Sequence, residues 1–199
     1  MKILHISDVH CDYENLNMLF NEEKIYDIAV FTGDFQCIKS AEIFLNLFKN
    51  PIAVTGNVDD VSIMRILDKN GVLLDGRIKT INNLLFAGIG GIDPRTNIIS
   101  IKKKLETARK KIDILLSHNP PHGILDKTIF GIGAGLKEIN EINSLYNPRL
   151  HLFGHIHESH GFITDKGITY VNPGPLKSGF YALIDINDNI IVELKKLSS

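Results

Sequence analysis

The chain has 199 residues, 44% hydrophobic and 23% charged, with a formal net charge of -1 and a pI near 6.7. Those figures exclude disorder, collagen and coiled coil, and they leave no chain-wide basic field for gripping nucleic acid. A chain of this length is expected to form one continuous domain that buries about 70% of the surface it exposes when unfolded.

The elements read in chain order. Residues 2–7, 28–33 and 51–55 are short apolar runs that end in polar residues, as strands buried on both faces do. Helical spacing follows each: Leu16, Leu19, Phe20 and Glu23, then Ile43, Phe44, Leu47 and Phe48, then 60–70 with its stop at Asn70-Gly71. This alternation predicts a parallel sheet with covering helices, hence an α/β fold. After residue 70 the texture turns toward β. Runs 77–81 and 84–89 flank Asn82-Asn83, which suits a hairpin. Segment 98–111 reads as an amphipathic helix, with Lys102, Lys103, Lys104, Arg109, Lys110 and Lys111 forming a solvated face or, alternatively, steering an anionic substrate. A strand at 112–116, a helix at 134–146, and strands at 150–153, 161–164, 168–171, 179–186 and 190–195 complete the reading. Segments 93–97, with Arg95, and 122–133 are expected to be specificity loops.

Two cysteines, Cys11 and Cys37, are too few for a disulfide framework. They read as free thiols in packing or loop roles, in a reduced, cytoplasmic protein. No apolar run reaches the roughly 20 residues of a membrane span. The first residues pass directly into a strand rather than into a secretory leader.

The eight histidines matter for where they fall. In open α/β sheets ligands bind beyond the carboxyl ends of the strands. The first strand ends in Asp8-Val9-His10, whose Asp and His share one side of an extended segment. The second ends in Gly33-Asp34 and the third in Gly56-Asn57-Val58-Asp59, with Asp59 or Asp60 available to cap the next helix. A fourth tip carries His118, stiffened by Pro120-Pro121, and a fifth reads Gly154-His155-Ile156-His157. Two Asp, one Asn and four His form a ligand set ample for two metals.

In this order the motifs resemble the calcineurin-like metallophosphoesterase superfamily, and within it the small, single-domain, prokaryotic-type members that include phosphodiesterases. Asn172-Pro173-Gly174 extends the match. The resemblance implies a four-layer α/β/β/α sandwich of two mixed sheets. It implies one metal on Asp8, His10 and His157, another on Asn57, His118 and His155, and Asp34 bridging them. The implied chemistry is in-line attack on phosphorus by a hydroxide shared between two cations. Manganese is the expected ion, and iron, zinc, nickel or cobalt suit the same mixed donors.

One departure stands out. The family usually has histidine after the third-strand Gly-Asn, and here Val58 stands there. Valine donates no proton, so either the substrate has a good leaving group or another residue supplies the proton. His122 is the first expectation, with His160 and Asp12 behind it. The gap favours a phosphodiester over a phosphomonoester. The expected partner is a small phosphoester, with neither duplex nucleic acid nor membrane. Oligomeric state stays open. A metal-poor interaction scaffold on the same fold is the competing reading. Another two-metal hydrolase is disfavoured because His-x-His comes last in the chain rather than early.

Overall fold

The computed structural model describes residues 1–108 and 110–198. Arg109, counted above on the basic helix, lies outside the described residues. Among the described residues eleven strands and five α-helices follow one another: β1 (Lys2–Ile6), α1 (Tyr13–Glu22), β2 (Ile28–Phe31), α2 (Ile38–Leu47), β3 (Ile52–Ala53), α3 (Val61–Lys69), β4 (Arg77–Ile81), β5 (Leu84–Ile89), α4 (Pro94–Ala108), β6 (Ile114–Ser117), α5 (Lys137–Tyr146), β7 (Leu150–Leu152), β8 (Gly161–Asp165), β9 (Ile168–Asn172), β10 (Phe180–Ile186) and β11 (Ile190–Lys196). Two short 3-10 turns cover His157–Ser159 and Leu176–Ser178.

The strands form two mixed sheets, ordered β11-β10-β1-β2-β3 and β4-β5-β6-β7-β9-β8. The side-chain period of two explains the layers. On β1, Leu4 and Ile6 face the helices α1–α3, while Ile3 faces the opposite sheet. On β2, Ala29 and Phe31 point outward to the helices and Ile28 and Val30 inward. On β6, Leu115 packs toward α4 and α5, and Ile114 and Leu116 fill the space between the sheets. Three apolar layers therefore separate helix, sheet, sheet and helix. That is the α/β/β/α sandwich. The parallel pairs β1/β2, β2/β3, β5/β6 and β6/β7 bring the carboxyl ends of six strands to one edge, five of which carry the tip residues.

Several local expectations are corrected. Residues 93–97 are not a free loop. Pro94 opens α4, where its missing N–H costs nothing, and Asp93 Oδ1 accepts from the Thr96 N–H at 3.1 Å. Arg95 is turned to solvent, 84% exposed, and pairs with Glu138 at 3.4 Å. Of the two capping candidates, Asp60 caps α3, accepting from the Ser62 and Ile63 N–H groups.

The cysteines are also corrected. Cys11 and Cys37 form a disulfide, their Cα atoms 5.3 Å apart. The backbone explains the approach: the β1–α1 loop lies along the β2–α2 loop, and the Cys11 N–H donates to the Phe35 carbonyl at 3.2 Å. The bridge closes a loop with a sequence separation of 26. On the chain-entropy account such a bridge contributes about 3.5 kcal/mol. The paired Cys11→Ser, Cys37→Ser variant, and the wild type under dithiothreitol, should each lose stability of that order in urea unfolding. Identical midpoints with and without reductant would rule this out.

Candidate metal centre

Each tip residue named from the sequence sits at the common edge. Asp8, His10 and His157 offer ligand atoms within 4.8 Å of one another, and so do Asp34, His118 and His155. Asn57 joins the second group, its Oδ1 lying 2.8 Å from His118 Nε2. Asp34 stands between the groups, with Oδ2 3.7 Å from His10 Nε2 and Oδ1 3.5 Å from His118 Nε2.

The backbone is bent to achieve this. Asp8, His10, Asp34 and His155 all have positive φ, between 45° and 70°. Non-glycine residues in that region cost on the order of 1–3 kcal/mol each and gather at functional sites. Two glycines permit the close approach. A Cβ on Gly33 would lie 2.6 Å from both the Gly56 nitrogen and His118 Nδ1, and a Cβ on Gly154 would collide with the Ser7 and Asp8 side chains.

Hydrogen bonds fix the imidazoles. His118 Nδ1 lies 2.8 Å from the Thr32 carbonyl, to which it can only donate. In the neutral ring Nε2 is then a lone pair, and it faces the oxygens of Asn57 and Asp34. His10 Nδ1 lies 3.1 Å from Gln36 Oε1, so its Nε2 likewise faces carboxylate oxygens, Asp34 Oδ2 at 3.7 Å and Asp8 Oδ1 at 3.9 Å, with His157 Nε2 at 3.4 Å. The His118 Nε2 lone pair and Asn57 Oδ1, 2.8 Å apart, repel one another unless a cation lies between them. The donor set therefore fits divalent metal. Burial pushes the His155 imidazole down to about 4, so it is neutral, the ligating form, at pH 7. Burial alone would raise Asp8, but hydrogen bonds from His157 and Ser7 and the nearby His118 hold it at about 2. Burial raises Asp34, with the Asp8 charge adding to the effect.

The proton-donor candidates separate. Asp12 is the N-cap of α1, accepting from the Asn15 N–H. His160 stacks on Phe180 with ring centroids 4.7 Å apart. His122 lies on the segment after His118, its side chain 46% exposed, with Nδ1 3.6 Å from Asp126 Oδ2. Among the described residues no hydrogen bond joins His122 to either ligand group.

Some supporting residues escaped the sequence reading. Asp59 is not a cap. Its carboxylate accepts from the N–H groups of Asp34 (3.1 Å), Gly56 (2.7 Å) and Gln36 (2.7 Å), tying the second and third tips together. Asn172 Nδ2 donates to the Ile156 carbonyl at 2.8 Å and steadies the His155-x-His157 turn. The sequence signal for Asp59 was its place two residues after Asn57, which a helix cap shares.

The sequence model of the calcineurin-like phosphoesterase superfamily domain matches residues 1–189. The chain belongs to that superfamily. The protein MJ1162 of Methanocaldococcus jannaschii is 30% identical over 216 residues, covering 96% of this chain and 95% of that one. Metallophosphoesterase domain-containing protein 1 of Homo sapiens is 36% identical over 86 residues, which span 42% of this chain and only 25% of the human protein. The structure of a novel archaeal phosphodiesterase superposes with a TM-score of 0.61 over 98% of this chain and 100% of that one, at 18% identity, a likeness of fold. No helix among the described residues is long and apolar enough to cross a membrane.

Proposed function

We propose that this superfamily member is a two-metal phosphodiesterase acting on a small phosphoester. The observation that carries the reading is Asp34, a single carboxylate with one oxygen toward each of two adjoining ligand groups. Asp8, His10 and His157 would hold one ion, and Asn57, His118 and His155 the other. Divalent ions bound there supply Lewis-acid stabilisation of phosphoryl charge and a lowered pKa for water. The chain's part is to hold the donors rigid: the Thr32 carbonyl sets the His118 tautomer, Gln36 sets that of His10, and Asp59 fixes the peptides of Asp34 and Gly56.

Val58 supports the diester preference. Its side chain is exposed, and only its N–H, donating to Asp34 Oδ1 at 3.1 Å, serves the site. A missing general acid is worth about 10²–10⁴-fold against poor leaving groups. A diester also places one negative charge rather than two on the cations. Where a poor leaving group needs a proton, His122 is the residue assigned to replace the absent acid, since catalytic hydrogen bonds often close only around substrate.

The test is a panel of diesters and monoesters with nitrophenyl and alkyl leaving groups, assayed with manganese, iron, zinc, nickel or cobalt. Chelation should remove at least nine-tenths of turnover, and diesters should exceed matched monoesters. His122→Ala should harm alkyl esters more than nitrophenyl esters. Stoichiometric metal with no turnover on any phosphoester would favour the scaffold reading instead.

A further inference from the structure

Two histidines that belong to neither ligand group lie wholly inside the protein: His5 and His151. His151 stands on β7, beside β6, whose last residue Ser117 precedes His118. Its two ring nitrogens are both engaged. Nε2 lies 2.8 Å from Ser117 Oγ, and Nδ1 lies 3.1 Å from Asn143 Nδ2 on α5. Ser117 Oγ in turn donates to the Asn119 carbonyl at 2.7 Å. All three side chains are buried, Asn143 being 4% exposed and the others 0%.

The directions in this chain follow from proton counting. A serine hydroxyl has one proton, and Ser117 gives it to the Asn119 carbonyl. Toward His151 it is therefore an acceptor, and Nε2 must carry the ring proton. That leaves Nδ1 as a lone pair, which the Asn143 amide fills by donating. Each link thus fixes the direction of the next. Burial pushes the His151 imidazole down to about 3, so the ring stays neutral and this tautomer persists.

The last link closes around a proposed ligand. Ser117 and Asn119 flank His118, and the bond between them pins the peptide on its far side. The His118 N–H already donates to the Ile89 carbonyl at 3.1 Å, and its carbonyl accepts from the Gly154 N–H at 3.1 Å. Ring direction then depends on where residues 117–119 sit relative to Thr32.

We propose that Asn143, His151 and Ser117 form a hydrogen-bond relay from α5 to the loop that presents His118, making His151 a positioning residue for the second metal group. This rests on the two-metal reading above. Among the described residues no hydrogen bond joins the relay to β1 or to the segment carrying Asp8 and His10, and only His157 of the first group shares the β7 loop. A loss confined to one of two metals is therefore its signature. General destabilisation would weaken both.

Manganese titration by calorimetry reads this out. The wild type should take up two equivalents. His151→Phe should bind one of them 10–100-fold more weakly, the usual cost of removing a ligand's hydrogen-bonded support, and leave the other unchanged. His151→Gln should restore much of the loss, since its amide can donate to Ser117 while its oxygen accepts from Asn143. Ser117→Ala severs the same link with a smaller change of volume, which keeps the test open if the phenylalanine variant folds poorly. The site is assigned by pairing substitutions: His151→Phe should weaken the metal left in His10→Ala but not the one left in His118→Ala. Two equivalents of unchanged or equally weakened affinity in His151→Phe and Ser117→Ala would overturn the relay alone. A wild type that takes up no metal would overturn the two-metal reading and the relay with it.

Discussion

Asp34→Asn and His155→Ala are each expected to reduce phosphoester turnover about 10³-fold or more, the scale seen when the principal stabiliser of developing charge is removed. The asparagine case is the sharper. The side chain keeps its shape, so packing against the Gly33 and Gly56 loops is retained, and the Asp59 anchor on the residue's own N–H is untouched. What changes is donor chemistry. One oxygen of Asp34 now faces His10 and the other faces His118 and the Val58 N–H. An amide leaves a single oxygen, and its NH2 must point at one of these neighbours. If it points toward His118 it also opposes the Val58 N–H. If it points toward His10 it fills the place where an acceptor was. Metal content and turnover should therefore fall together while the urea midpoint of the metal-free protein changes little. His155→Ala tests the same centre from the other sheet, and near-normal rates in both variants would defeat the metal assignment.

The site could be read in advance because its chemistry lies at strand ends, where patterning is simplest. A buried strand announces itself as an apolar run, and the polar residue that ends it is by topology at the edge of the sheet. Asp8, Asp34, Asn57, His118 and His155 were each visible in this way. The alternation of Ile3, Leu4 and Ile6 between two apolar layers follows from the same period. What resisted reading depends on distances between segments. Nothing in a spacing of 26 residues says that Cys11 and Cys37 come together, because their approach is set by two loops running side by side. Asp59 and Asp60 are adjacent and chemically identical, and only the fold decides which one caps α3 and which one holds the site. The Asp93-Pro94 pair carried both a turn signal and a helix-start signal, and the second was the correct one. His151 sat inside an apolar run, where an imidazole has no meaning until its partners on β6 and α5 are known.

The two interior histidines also set how the protein responds to acid. Burial pushes both His5 and His151 down to about 3. For His5 the charge of Asp8 acts the other way but is the smaller effect, and His151 is lowered a little further by His5. In the unfolded chain each imidazole titrates near 6.5. Between those values the unfolded state binds protons that the folded state refuses, so stability present above pH 6.5 is lost as pH falls toward 3. At pH 5 the two together cost about 4 kcal/mol relative to neutral pH. Asp75 opposes them. It is buried against Thr55, whose N–H and hydroxyl both donate to it, and burial raises its carboxyl to about 6. Protonation of that group in the folded state returns about 1 kcal/mol at pH 5. These three groups together contribute a loss of roughly 3 kcal/mol, a large fraction of an ordinary domain's stability. Urea unfolding of the protein between pH 7.5 and pH 5 measures it. Single His5→Phe and His151→Phe variants should each flatten the profile by close to one proton, and the difference from wild type isolates them from groups that titrate in the metal centre. Variants with the wild-type slope would show that these rings are protonated in the folded protein and that burial does not govern them.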